Sequence, residues 1–208
     1  SEKTAVGQGS LGSNTTGANN TALGYLALVL NSTASNNTAV GYNSLATNTT
    51  GTENVSVGAF ALDANTTGDT NTAVGYVALS SNASGASNTA VGRAALFTNT
   101  ASNNTAVGKE ALKLNTSGAD NTAVGLSALL VNTTGNQNTA VGANALDANT
   151  TGQENTAVGY HSLGATTTGS SNTAVGHECG TSNTTGQRNV AVGNTTLYYN
   201  TTGNDNTA

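Results

Sequence analysis

Every seventeen residues this chain starts again. A valine, once a leucine, followed by glycine recurs at Gly7, Gly24, Gly41, Gly58, Gly75, Gly92, Gly108, Gly125, Gly142, Gly159, Gly176 and Gly193, and only the interval from Gly92 to Gly108 is a residue short. The unit reads N-T-A-V-G-x-x-A-L-x-x-N-T-T-G-x-x and fills all 208 residues. A fixed period of this length is the signature of a solenoid, because one coil cannot bury its own apolar face and must stack on its neighbours. Twelve copies leave no room for a domain of different composition, so residues 1–208 read as a single repeat array.

Helix does not fit the unit. Two glycine columns and paired Asn-Thr stretches interrupt each period, and the apolar positions do not follow a 3.6-residue spacing. Short strands between tight turns do fit. Thr72-Ala73-Val74 and Ala78-Leu79 are the two segments expected to be extended, with Gly75 and Gly85 at bends, since glycine and asparagine tolerate positive φ. Proline is absent, as expected if nearly every coil donates backbone hydrogen bonds to the next. The expected fold is therefore all-β, a parallel β-solenoid of about twelve seventeen-residue coils. With coils roughly 4.8 Å apart, it would span roughly 57 Å.

Alternate residues of a strand face opposite ways, so the Ala73 and Val74 columns cannot both fill one thin interior. Yet both stay apolar. Val40, Val57, Val74, Val91, Val107, Val124, Val141, Val158 and Val175 hold one column, and Ala73, Ala90 and Ala123 typify the other, which is broken only at Ser56. One face should pack inside the coil and the other against another subunit, which predicts a homo-oligomer. Leu11, Leu28, Leu45, Leu62, Leu79, Leu96, Leu112, Leu129, Leu146, Leu163 and Leu197 form a third ladder, missing only at Gly180, and should supply most of the bulky core. A column of asparagines from Asn20 to Asn206 recurs in register, where stacked amides could bond along the solenoid and fix its turns. The shortened interval loses its residue in the N-T-T-G turn, at Asn99-Thr100-Ala101-Ser102, which marks that turn as outside and tolerant of change. The first repeat begins at Thr4 and the last breaks off at Ala208 without polar capping repeats, so the array is expected either to be an excerpt or to self-associate end to end.

The motif Asn71-Thr72-Ala73-Val74-Gly75 resembles the head repeat of trimeric autotransporter adhesins, and the longer unit is similar to repeats in phage tail-fibre-like proteins. The resemblance runs the length of the chain, although the seventeen-residue unit is longer than the adhesin coil, with the added length in the A-L-x-x-N-T-T-G half. It implies a left-handed β-roll that trimerises through its inner strands, an extracellular place on a cell surface or virion fibre, and a carbohydrate or other cell-surface receptor as partner. Handedness and trimer state come from the resemblance alone.

Composition excludes other classes. Charged residues are 7% and aromatics 4%, too little bulk for a thick core and too little charge for a disordered chain. The net charge of −5 comes from ten acids and five scattered bases, with no basic stripe, so nucleic acid is not an expected partner. No apolar run approaches the roughly 20 residues of a membrane helix, and no membrane insertion is expected in this segment. The chain enters its first repeat directly after Ser1-Glu2-Lys3, so any secretion signal is expected to be removed or to lie outside it. A lone Cys179 allows no internal disulfide framework.

No enzyme, metal or cofactor is expected. The one local cluster, His177-Glu178-Cys179, places its thiol in a column usually held by alanine, which reads as a buried small side chain. His161 and His177 sit in different columns, and two histidines alone make no metal site. Tyr25, Tyr42, Tyr76 and Tyr160 share the position after Val/Leu-Gly, where aromatic platforms could stack on sugars, but Gln8, Ala59, Arg93, Lys109 and others fill the same column and favour ordinary surface variation. Asn14, Asn31, Asn48, Asn65, Asn132, Asn149, Asn183 and Asn200 form a ladder of N-glycosylation sequons that could coat a filament with sugar. The expected function is a non-enzymatic extracellular fibre segment mediating attachment. The alternatives are a self-assembling, glycan-coated filament and an ice-binding solenoid using Thr66-Thr67 and its equivalents, though adjacent threonines in a strand would face opposite ways.

Overall fold

Each repeat folds into one coil carrying one short strand. The computed structural model describes residues 2–208 and divides into two compact units, Ser1–Asn103 and Asn104–Ala208. The first holds β1 (Lys3–Val6), β2 (Asn20–Leu23), β3 (Thr38–Val40), β4 (Val55–Val57), β5 (Thr72–Val74) and β6 (Thr89–Val91). The second holds β7 (Thr105–Val107), β8 (Thr122–Val124), β9 (Thr139–Val141), β10 (Thr156–Val158), β11 (Thr173–Val175) and β12 (Val190–Val192). Within each unit consecutive strands pair in parallel and in register, Ala73 beside Ala90 in the first and Ala123 beside Ala140 in the second. The fold is an all-β parallel solenoid, and no helix occurs among the described residues.

The alanine column is the interior one. Ala39, Ala73, Ala90, Ala123 and Ala157 are fully buried, together with Leu45, Leu79, Leu112 and Leu146. Thr and Val of the same strands flank the alanine on the outer face and stay half-buried or exposed. The small alanine fits because the leucine and two asparagine columns already fill the coil's cross-section.

The expected second strand is absent. Ala78-Leu79 lies in a turn, and Leu79 is left-handed, with φ of 53°. Three positions per coil share that region, held by non-glycine residues except at Gly9 and Gly180, and exemplified by Val77 at 50°, Leu79, and Thr70 at 57°. Left-handed backbone costs an L-residue about 1–2 kcal/mol, so something must offset it. Each of these residues points its N–H at a neighbouring coil: Val77 to the Ala59 carbonyl at 3.1 Å, Leu79 to Ala95 at 2.9 Å and Thr70 to Thr52 at 2.9 Å. The unusual φ values thus aim donors along the stacking direction, where they are satisfied.

The two glycine columns serve different needs. Gly75 has φ of 135°, and a Cβ there would lie 2.6 Å from the Gly92 carbonyl oxygen. The second column, expected to need positive φ, instead needs space: a Cβ on Gly169 would lie 2.5 Å from the Gly186 oxygen.

Both asparagine columns are internal and hydrogen-bonded. In the first, the Asn37 backbone N–H donates to Asn20 Oδ1 at 2.9 Å, and the Asn37 amide donates to the Gly51 carbonyl at 2.9 Å. In the second, the Asn48 amide donates to Asn31 Oδ1 and to the same Gly51 carbonyl, both at 2.9 Å. One carbonyl with two lone pairs therefore ties the two ladders together once per coil. The short coil keeps this knot, since the Ala101 carbonyl accepts from Asn88 and Asn99 at 2.8 Å each. Its missing residue comes from the Thr pair between them, so outside tolerance holds for that pair and not for the buried asparagine.

A further pattern has a period of two coils. At the turn after the second glycine column, the backbone N–H groups of Ala18, Thr52 and Ala86 donate to the side chains of Ser35, Asp69 and Ser102 one coil on. In the second unit Ala119, Gln153 and Gln187 donate likewise to Asn136, Ser170 and Asn204. Acceptor side chains occupy every second coil.

Candidate functional site

The repeat's most regular surface is the outer face of the strands. Threonine and valine stand two residues apart on each strand, with Leu23, Val55 and Val190 the only replacements in the two ranks, and no charged side chain interrupts either rank. Val107, Val141, Val175 and Val192 are exposed, and Val40, Val57, Val74, Val91, Val124 and Val158 half-buried. The face is ordered by the parallel register beneath it, which places Thr72 beside Thr89 and Val74 beside Val91.

The tyrosine column forms a continuous aromatic ridge in the first unit, because Phe60 steps in where Ala59 leaves a gap. Tyr25 and Tyr42 stack with centroids 5.3 Å apart and planes 9° from parallel, and Phe60 meets Tyr42 and Tyr76 edge to face. Tyr25 and Tyr42 turn one face each toward the other, which occupies that face, while both rings stay exposed.

Six of the eight sequon asparagines lie inside. Asn31, Asn48, Asn65, Asn132 and Asn149 are fully buried and Asn183 nearly so, with amides committed to glycine or alanine carbonyls of the same turn. A glycan would replace one of those amide hydrogens and require the space the coil fills, so these six are not acceptors in the folded chain. Asn14 and Asn200 are half-buried. The sequon pattern belongs to the internal ladder, which removes the regular sugar coat expected from sequence.

The Thr66 column is also structural. Its hydroxyls donate to the next coil, Thr49 to the Thr66 carbonyl and Thr66 to the Ala83 carbonyl at 3.0 Å each. Only the Thr67 column stays free to face solvent as a rank, and a single rank makes no plane.

Cys179 is fully buried, and its thiol donates to the Ala191 carbonyl at 3.2 Å. Two serines of the same column act alike, Ser44 on the Ser56 carbonyl and Ser162 on the Ala174 carbonyl. Burial raises the thiol's pKa above its ordinary value, which suppresses the thiolate. Ser56, the break in the alanine column, is accommodated by Ser44, whose hydroxyl lies 2.7 Å from its own, and donates onward to Ala61.

One titratable cluster escaped the sequence reading. Asp147, His161 and Thr181 come from three successive coils, and His161 stands between the other two. Its Nδ1 is 2.9 Å from Thr181 Oγ1, and its Nε2 is 4.0 Å from Asp147 Oδ1. The trio has the composition of a nucleophile, base and acid, but the Thr181 hydroxyl donates to the His161 carbonyl, so its hydrogen is not aimed at the imidazole. Among the described residues, no three His, Cys, Asp or Glu side chains are placed to hold a metal ion. Sequence could have flagged the cluster only through Gly164, whose missing side chain makes the space for the ring.

No family model, curated protein or solved structure matches the chain.

Proposed function

We propose that this chain is a non-enzymatic segment of an extracellular structural fibre, of adhesin or tail-fibre kind, whose copies associate through the outer face of their strands. The observation that carries the reading is the pair of uncharged threonine and valine ranks left half-open in both units. A regular apolar surface of this kind marks an interaction site more often than free solvent. Three copies is the stoichiometry implied by the resemblance of the N-T-A-V-G motif to adhesin head repeats. Sedimentation equilibrium tests it: a trimer is expected at micromolar concentration, and a paired Val74→Lys and Val124→Lys variant should be monomeric yet folded, because these side chains point outward. A monomer in the unsubstituted chain refutes the reading.

A second reading is favoured by the same two ranks. Threonine and valine in register on parallel strands offer a repeating array of methyls and hydroxyls, which could order water as an ice-binding plane. These residues, not Thr66 and Thr67, would carry it. A monomer with thermal hysteresis that disappears in the paired lysine variant would establish this reading instead.

A further inference from the structure

We propose that Asp147, His161 and Thr181 form a proton-operated clasp, in which protonation of His161 at Nε2 creates an ion pair with Asp147 that ties neighbouring coils together. The proposal concerns the second unit alone and does not depend on how copies associate.

The ring is held in place by geometry. His161 follows β10 with φ of 51°. Its imidazole lies over Gly164, where a Cβ would fall 2.6 Å from Cε1 and 2.7 Å from either ring nitrogen. Asp147 and Thr181 fill the equivalent position of the coils before and after, so the ring replaces a missing rung between them. Its tautomer is fixed as well. Thr181 spends its only hydroxyl hydrogen on the His161 carbonyl, which leaves its oxygen to accept from Nδ1–H. The neutral ring must then turn the Nε2 lone pair toward Asp147 Oδ1, a buried oxygen with no hydrogen-bond partner.

Adding a proton at Nε2 converts this contact of two acceptors into donor and acceptor. A small side-chain shift closes 4.0 Å to hydrogen-bond distance. The other groups around the ring are Tyr160, tilted 35° against it, His177 stacked on Tyr160, and Glu178, one coil on in the same column. Glu178 lines a separate cleft with Thr195, Tyr198 and Tyr199, and the position one coil back holds uncharged Asn144. Asp147 is thus the carboxylate that Nε2 faces. Burial raises the Asp147 carboxyl above its ordinary value, while His161 draws it back down. The clasp is closed while the imidazole is protonated and Asp147 ionised. Its stabilisation is lost when Nε2 gives up its proton, and again as pH falls through the raised range of Asp147.

Nitrogen-15 NMR of the imidazoles tests the first step without any substitution. At about pH 8 the Nδ1–H tautomer is expected for His161, and finding Nε2–H overturns the proposal. Hydrogen exchange tests the second. After correction for intrinsic rates, exchange of the Leu146 and Ala148 amides, which bond Asp147's coil to the Ser162 and Gly164 carbonyls of the His161 coil, should slow about two- to fivefold between pH 8 and 6, the range for a partly exposed ion pair. D147N should abolish this dependence and H177N should keep it. Unchanged pH dependence in D147N refutes the clasp.

Discussion

Thr166 is the one residue of an internal ladder that is not asparagine, and mending that rung should stabilise the protein. The position belongs to the second asparagine column, between Asn149 and Asn183, and is fully buried. Its hydroxyl has no partner, and neither does Asn149 Oδ1, which in a regular rung would accept from the next amide. The intact rungs show what Thr166→Asn would restore: the Asn149 amide donates to Asn132 Oδ1 at 2.8 Å and to the Gly152 carbonyl at 3.1 Å. The corresponding carbonyl, Gly169, now accepts only the Asn155 amide among its ladder partners and has a lone pair to spare. Asparagine and threonine are close in volume, so the substitution need not strain the coil. An orphaned buried polar atom costs about 1–3 kcal/mol, and two are removed. After the loss of side-chain freedom, about 2–4 kcal/mol of added stability is expected. Guanidinium unfolding should show a higher midpoint at unchanged slope. Two companions separate the causes. Thr166→Val removes one orphan without mending the ladder and should give roughly half the gain, while Asn132→Thr creates the same fault elsewhere and should cost about what Thr166→Asn adds. If Thr166→Asn is neutral and Asn132→Thr costs under about 0.5 kcal/mol, the ladder does not hold the coils together as described.

Gly75→Ala should destabilise by more than about 2 kcal/mol, because both the φ of 135° and the Gly92 oxygen oppose a Cβ; calorimetry of the variant checks this. Cys179 should resist alkylation in the native protein at pH 8 and react fully in denaturant, and Cys179→Ser should change stability by less than about 1 kcal/mol, since Ser162 already makes the equivalent bond. Asp63 is half-buried, and burial raises its carboxyl pKa although Ser80 donates to it at 2.6 Å. The folded state therefore holds this proton more tightly than the unfolded one, and stability falls as pH rises from the ordinary aspartate value through the raised one. Asp63→Asn should be stabilising at pH 7, and the gain should vanish below the ordinary aspartate range in parallel urea titrations.

Periodicity alone reveals the solenoid, the leucine core and the stacked amides, because each depends on register and register is visible in the repeat. What sequence could not reveal depends on backbone angle. Ala78-Leu79 looks extended because alternating small and large apolar residues are ordinary in strands; nothing in a leucine advertises φ of 53°. The N-T-T-G asparagine reads as a surface sequon because Asn beside Thr and Gly is common in exposed turns, whereas here its amide closes the internal knot. Which strand face is inside was undecided between two apolar columns until the filled cross-section left room only for alanine. The Asp147–His161–Thr181 cluster was hidden for another reason: its members occupy two different columns, and a gap at Gly164 joins them.

The clamp at alternate coils gives the array a parity. Coils that lend a side chain and coils that borrow one must follow in turn, as Ala119, Asn136, Gln153 and Ser170 do. Excising residues 136–152 would bring Gln153 beside Ala119, two borrowers in succession, whereas excising 136–169 would bring Ser170 there and keep the order. Growth or shortening of such a chain is therefore least disruptive in steps of two coils, so the unit that can be added without breaking a clamp is twice the unit that folds.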